Sequence, residues 1–120
     1  MTTTLWIVQG LLAVAFLAAG SMKLMKSPED LVSKGMGWAA DFSASQVKAI
    51  GGLEALGAIG LILPVALNIL PILTGVAAVG LVLTMLGAAV THARRKEFPM
   101  IAPNVVLGAM AGFVAYSHLA

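Results

Sequence analysis

The chain has 120 residues, 60% of them hydrophobic and 10% charged, with seven Lys and Arg against five Asp and Glu. Soluble domains carry about 25% charged residues, so a soluble globular domain is excluded, and a mean hydropathy of +1.01 makes lipid the expected solvent. The chain has no cysteine, which removes disulfides and thiolate metal sites, and its basic residues flank apolar runs instead of forming a nucleic-acid patch.

There is room for four spans of ~20 residues in one domain covering 1–120. The first is expected over residues 4–22. A cleaved signal peptide would need a basic start, and Met1-Thr2-Thr3-Thr4 has none, so a retained helix is expected, with Trp6 as an interfacial anchor. In Lys23-Leu24-Met25-Lys26-Ser27-Pro28-Glu29-Asp30, Ser27 reads as an N-cap and Pro28 as the first helical residue, followed by acids that suit the helix dipole. This predicts a short interfacial helix to about Lys34, broken by Gly35 and Gly37, with Trp38 and Phe42 at headgroup level. Ser43-Ala44-Ser45-Gln46 is a second capping pattern and opens span two, residues 44–63, which Pro64 is expected to end. Span three is expected over 69–91 with Pro71 in its first turn, and span four over 99–116. The fold class is therefore all-α: an integral membrane four-helix bundle with a short interfacial helix between the first two spans.

Charge sets the orientation. Lys23, Lys26, Lys34 and Lys48 belong to the first loop and its edges, and Arg94, Arg95 and Lys96 to the third. By the positive-inside rule, loops one and three face the cytoplasm and both termini face out.

Glu54 stands out in the run Ala49 to Pro64, where every other residue is apolar or glycine. A carboxyl group there costs roughly 3 kcal/mol or more unless it is paired or protonated. Residues at steps of three and four share a helix face. Those steps give Gln9, Ala13, Phe16, Gly20 and Lys23 on span one, and Val47, Gly51, Glu54, Ala58 and Leu61 on span two. On span three they give Gly80, Thr84, Gly87 and Thr91 with His92 beside them; on span four, Asn104, Gly108, Ala111, Ala115 and His118. Small and polar residues line helix contacts in membranes, so the four stripes are expected to face one another. Glu54 then lies roughly 9 Å in from Lys48 at a rise of ~1.5 Å per residue. The candidate pocket comprises Glu54, Lys23, Thr84, Thr91, His92 and Asn104, with Arg94 and Arg95 at its cytoplasmic rim, while the outer half is almost wholly apolar apart from Gln9.

Plainer roles stand beside this. Glu54 can be fixed by an ion pair with Lys23, His92 or Arg94; the basic residues can serve topology alone; Asn104 can join helices. His92 and His118 are expected at opposite faces, so one chain cannot give both axial ligands to a haem. Without a His/Cys cluster no built-in metal is expected. Redox chemistry would need a borrowed cofactor such as quinone.

Four segments in order resemble the DoxX-like family of small membrane proteins. They are Ala19-Gly20-Ser21-Met22-Lys23-Leu24, Gly52-Leu53-Glu54-Ala55-Leu56-Gly57-Ala58 through Pro64, Met85-Leu86-Gly87-Ala88-Ala89-Val90-Thr91-His92 and Pro103-Asn104-Val105-Val106-Leu107. The resemblance implies a four-helix protein of the bacterial inner membrane, with relatives linked to thiosulfate oxidation with quinone as acceptor or to oxidative-stress assemblies. It implies an accessory subunit working with a redox partner or quinone. Two alternatives remain: a small-molecule or proton-coupled transporter using Glu54, and a purely structural subunit of a membrane complex. Small multidrug transporters match in size but carry their glutamate in the first span among aromatic residues, a setting absent here. Gly108 and Gly112, four apart, are the candidate for homo-oligomer packing.

Overall fold

A computed structural model describes residues 1–120. Helices α1 (Thr3–Met25), α2 (Pro28–Ser33), α3 (Ala44–Ala66), α4 (Ile72–Arg94) and α5 (Ile101–Leu119) follow one another, with no strand. Short 3₁₀ turns over Gly37–Asp41 and Phe98–Met100 precede α3 and α5. Four helices are long and apolar enough to cross a membrane: the three of 23 residues each, and the helical stretch Phe98–Leu119. At a rise of ~1.5 Å per residue, 23 residues reach about 34 Å, enough for a hydrocarbon core.

The cap chemistry works as the sequence suggests. Ser27 accepts from the Asp30 N–H at 3.2 Å with Pro28 behind it. Ser43 and Gln46 form a reciprocal capping box, at 3.2 and 2.9 Å. Gly35, at φ +92, turns the chain out of α2.

The surface is inverted relative to a soluble protein. Val14, Leu53, Leu56 and Leu83 stand exposed in mid-helix, where acyl chains would meet them. Inside, Leu12 and Phe16 of α1, Ala58 and Leu61 of α3, Ala78, Leu81 and Met85 of α4, and Ala111, Val114 and Ala115 of α5 make the shared core. Lipid is as apolar as these residues, so close packing, more than water exclusion, holds them. A Cβ on Gly20 would come within 2.6 Å of the Gly51 carbonyl, and one on Gly51 within 2.7 Å of the Gly20 carbonyl. α1 and α3 thus touch backbone to backbone. A second small cluster, Leu31, Ala39 and Val47, seats the loop-one segment on the end of this pair.

Three expectations need correction. First, Pro64 does not end span two: α3 continues to Ala66. A proline deprives the carbonyl four residues earlier of its donor. The Thr74 hydroxyl supplies the Gly60 carbonyl at 3.0 Å, and Gln9 Nε2 donates to the next carbonyl, that of Leu61, at 2.6 Å. Second, α4 starts at Ile72, not residue 69, because Asn68 and Leu70 adopt left-handed φ of 52° and 44° in the link; Pro71 is its N-cap. Third, the half of the bundle away from the basic loops is less apolar than expected. His118 Nε2 lies 2.8 Å from Gln9 Oε1, so buried Gln9 and Thr74 and half-buried His118 form a second polar cluster around the Pro64 turn. His92 and His118 do lie at opposite ends of the bundle, as the alternating helices require.

Candidate functional site

The stripe on α3 is the one the spacing suggests: Val47, Gly51, Glu54, Ala58 and Leu61 are all buried. That on α4 is shifted. Its buried face runs Thr74, Gly75, Ala78, Leu81, Met85 and His92, while Gly80 and Gly87 are exposed and Thr84 and Thr91 only partly covered. The two threonine hydroxyls donate to the carbonyls of Gly80 and Gly87, one turn back on their own helix. Such back-bonding removes the need for a partner helix. The expected four-way seam is therefore open on one side.

The opening lies between α3 and α4. Near their hairpin the two helices are tight: a Cβ on Gly57 would strike Leu81 at 2.7 Å, and one on Gly60 would strike Ala77 at 2.8 Å. Farther toward the basic end, Gly87, which lines the opening, has nothing within 4 Å of such a Cβ. The helices part, leaving a groove of about 830 Å³. Its mouth carries the exposed apolar side chains Leu53, Leu56, Leu73, Val76 and Leu83, so it opens sideways, where lipid would lie. All six pocket candidates, Lys23, Glu54, Thr84, Thr91, His92 and Asn104, line this one groove. Arg94 and Arg95 do not.

Glu54, 2% exposed, accepts from Lys23 Nζ at 2.6 Å. Of the three partners open to it, Lys23 is the one it takes. Lys23 Nζ also sits 5.6 Å from the centre of the Trp38 ring, which meets Phe42 edge-on at 5.9 Å. Trp38 and Phe42 close the basic end of the groove. Asn104 donates to the Met100 carbonyl of its own helix rather than to another helix.

His92 faces a partner the sequence reading missed. Arg95 is the C-cap of α4, and Lys96 takes the left-handed φ of 58°. The Lys96 N–H bonds to the Ala93 carbonyl at 3.1 Å and the Glu97 N–H to the His92 carbonyl at 2.8 Å. This is a Schellman turn, whose sixth residue folds back over its first. Here those two are Glu97 and His92, and Glu97 Oε1 lies 3.0 Å from His92 Nδ1. Arg95 then donates to both carboxylate oxygens of Asp41 at 3.0 Å and approaches Glu97 at 3.4 Å. The 3₁₀ turn bearing Trp38 is thereby tied to the end of α4. The hydrogen bond with His92 holds Glu97 below the usual carboxylate range; partial desolvation opposes it, and Arg95 adds to it. Arg95 is held above its ordinary value, chiefly by its hydrogen bonds to Asp41. A glycine at position 96 would have announced the turn in the sequence, but a lysine stands there. No group of three or more His, Asp or Glu side chains is placed to hold a metal ion.

The family model of the DoxX-like family matches residues 7–114. The chain belongs to the DoxX-like family. No curated protein and no solved structure matches it significantly. Membership of this DoxX-like group and four span-capable helices make the chain an integral membrane protein.

The candidate for an oligomer contact divides in two. A Cβ on Gly108 would meet Met85 at 3.4 Å, whereas Gly112 has nothing near it. Gly108 thus serves packing within the chain.

Proposed function

We propose that this protein is an accessory membrane subunit that takes an amphipathic, lipid-soluble molecule of the quinone type into the α3–α4 groove and works with a redox partner. One observation carries the reading: a groove of about 830 Å³ with an aliphatic, sideways mouth ends on polar groups at one end only. That gradient suits a ligand with an apolar tail and a polar ring. A soluble ion or sugar would find the aliphatic walls a poor match, because ligand sites place their few polar groups where the ligand's own are. Under the positive-inside rule the end with all seven basic residues faces the cytoplasm of a bacterial inner membrane. A partner would then meet Trp38, Asp41 and Arg95.

Within this reading the Lys23–Glu54 pair forms the floor of the groove and needs no titration to do so. The closed 2.6 Å contact also favours the second reading, a purely structural subunit, because a satisfied buried pair fixes packing without a ligand. The transporter reading requires Glu54 to exchange its partner, and would show as substrate-driven proton release that disappears in Glu54→Gln.

Trp38 lines the groove and Trp6 does not, so fluorescence separates the readings. In a Trp6→Phe background in nanodiscs, a short-chain benzoquinone should quench Trp38 saturably, and Thr84→Phe, which fills the groove, should abolish saturation. Linear quenching, unchanged by Thr84→Phe, would support the structural reading instead.

A further inference from the structure

His92 lines the groove while its Nδ1 is engaged by Glu97. An ionised carboxylate can only accept a hydrogen bond. Nδ1 must therefore carry the hydrogen, and in the neutral form of the ring Nε2 is the nitrogen with the bare lone pair. Nε2 has no protein partner, and no buried side-chain nitrogen or oxygen in the chain goes unsatisfied, so Nε2 is open to an occupant. The other charged groups near the ring are already committed. Glu97 and Arg95 hold one another and Asp41, and Lys23 is taken by Glu54. Arg94 and Lys96 carry no ion pair but do not line the groove, so what its lining offers a ligand at this end is an acceptor.

We infer that His92 Nε2 accepts a hydrogen bond from a ligand hydroxyl in the groove and takes its proton, with Glu97 as the positioning residue. The inference deepens the groove reading above and rests on it. It also states which redox form the groove selects. A carbonyl oxygen brings no hydrogen to a bare lone pair, so the quinone form gains nothing at His92, whereas a hydroquinone or other phenol does. In the transfer, the ligand O–H bond breaks and the Nε2–H bond forms. The Nδ1–H stays on Glu97, and the imidazolium is held beside a carboxylate that stabilises it. Loss of the Nε2 proton to water at the exposed end then restores the ring. Glu97 acts through His92 alone: it fixes the tautomer and the ring direction, as a carboxylate behind a histidine does elsewhere.

The test uses tert-butylhydroquinone and its dimethyl ether, which share a ring and differ in the hydroxyl hydrogens. Binding to the full chain in nanodiscs is measured by calorimetry against empty nanodiscs. The hydroquinone should bind about tenfold more tightly than the ether, the size expected for one good hydrogen bond. His92→Phe should equalise the two by weakening the hydroquinone alone, and Glu97→Gln should leave an intermediate preference. Unchanged ether binding shows that each variant is folded and that the groove is intact. Equal binding of both probes by the wild type, or equal weakening of both in His92→Phe, overturns the proposal while the groove reading stands. Failure of both probes to bind the wild type would remove the groove reading, and this inference with it.

Discussion

Removing Lys23 should cost more than removing Glu54, and the structure says by how much. At 2.6 Å, opposite unit charges attract by about 6 kcal/mol at an effective dielectric of ~20. Desolvation of the two ions offsets most of this, so the pair adds little net stability, yet breaking one side leaves a stranded charge at about 3–5 kcal/mol. The two sides are unequal. Glu54 is 2% exposed and Lys23 15%; the lysine's long stem can carry a freed ammonium to the polar rim, whereas the short carboxylate cannot follow. Lys23→Met should therefore destabilise by about 3–5 kcal/mol and Glu54→Gln by roughly 1–2 kcal/mol. The double variant should recover to within about 1–2 kcal/mol of wild type, since two uncharged side chains then fill the same space. The assay is reversible unfolding in mixed micelles with increasing dodecyl sulfate, followed by far-ultraviolet circular dichroism. Losses under ~1 kcal/mol for Lys23→Met, or a double variant worse than either single one, would refute a buried pair.

Gly20→Ala should destabilise by about 1–3 kcal/mol, because its Cβ meets the Gly51 carbonyl at 2.6 Å; Gly80→Ala, with nothing within 4 Å, should be neutral or better in the same unfolding assay. Thr74→Val should cost about 1–2 kcal/mol by orphaning the Gly60 carbonyl. In a Pro64→Ala background, where residue 64 regains its N–H, that cost should largely vanish. For pH, the folded-state value of Glu97 is depressed, so its contribution is present above its unfolded value and is lost as pH falls through the folded one. Hydrogen-exchange protection of residues 95–98, corrected for intrinsic rates, should hold near neutrality and fall below about pH 4 in the wild type. In Glu97→Gln it should be low and flat throughout.

How much of this was legible in the sequence depended on whether neighbours in the chain settle the outcome. The cap at Ser43 and the α3 stripe through Glu54 need only local chemistry and a steady period of 3.6, and both are as read. The α4 stripe was displaced because a threonine hydroxyl can bond its own helix, so a polar stripe does not have to face a partner helix. Pro64 was misread because its effect depends on Thr74, ten residues on, relieving the carbonyl that the proline frees. Glu97 and Asp41 were missed for a further reason. A left-handed lysine at position 96 gives no sign of a Schellman turn, and the Asp41–Arg95 contact joins loops 54 residues apart. The Gln9–His118 contact, between residues 109 apart, is equally invisible without the fold.

The central claim is that a lipid-soluble ligand occupies the space between α3 and α4. Its most direct test is photolabelling in nanodiscs with an azido-benzoquinone, followed by mapping of the modified residues. Labels should fall on groove residues such as Leu53, Thr84 and Ala88, and excess unlabelled short-chain quinone should suppress them. Labels scattered over the exposed faces of α1 and α5, undiminished by competitor, would contradict the claim.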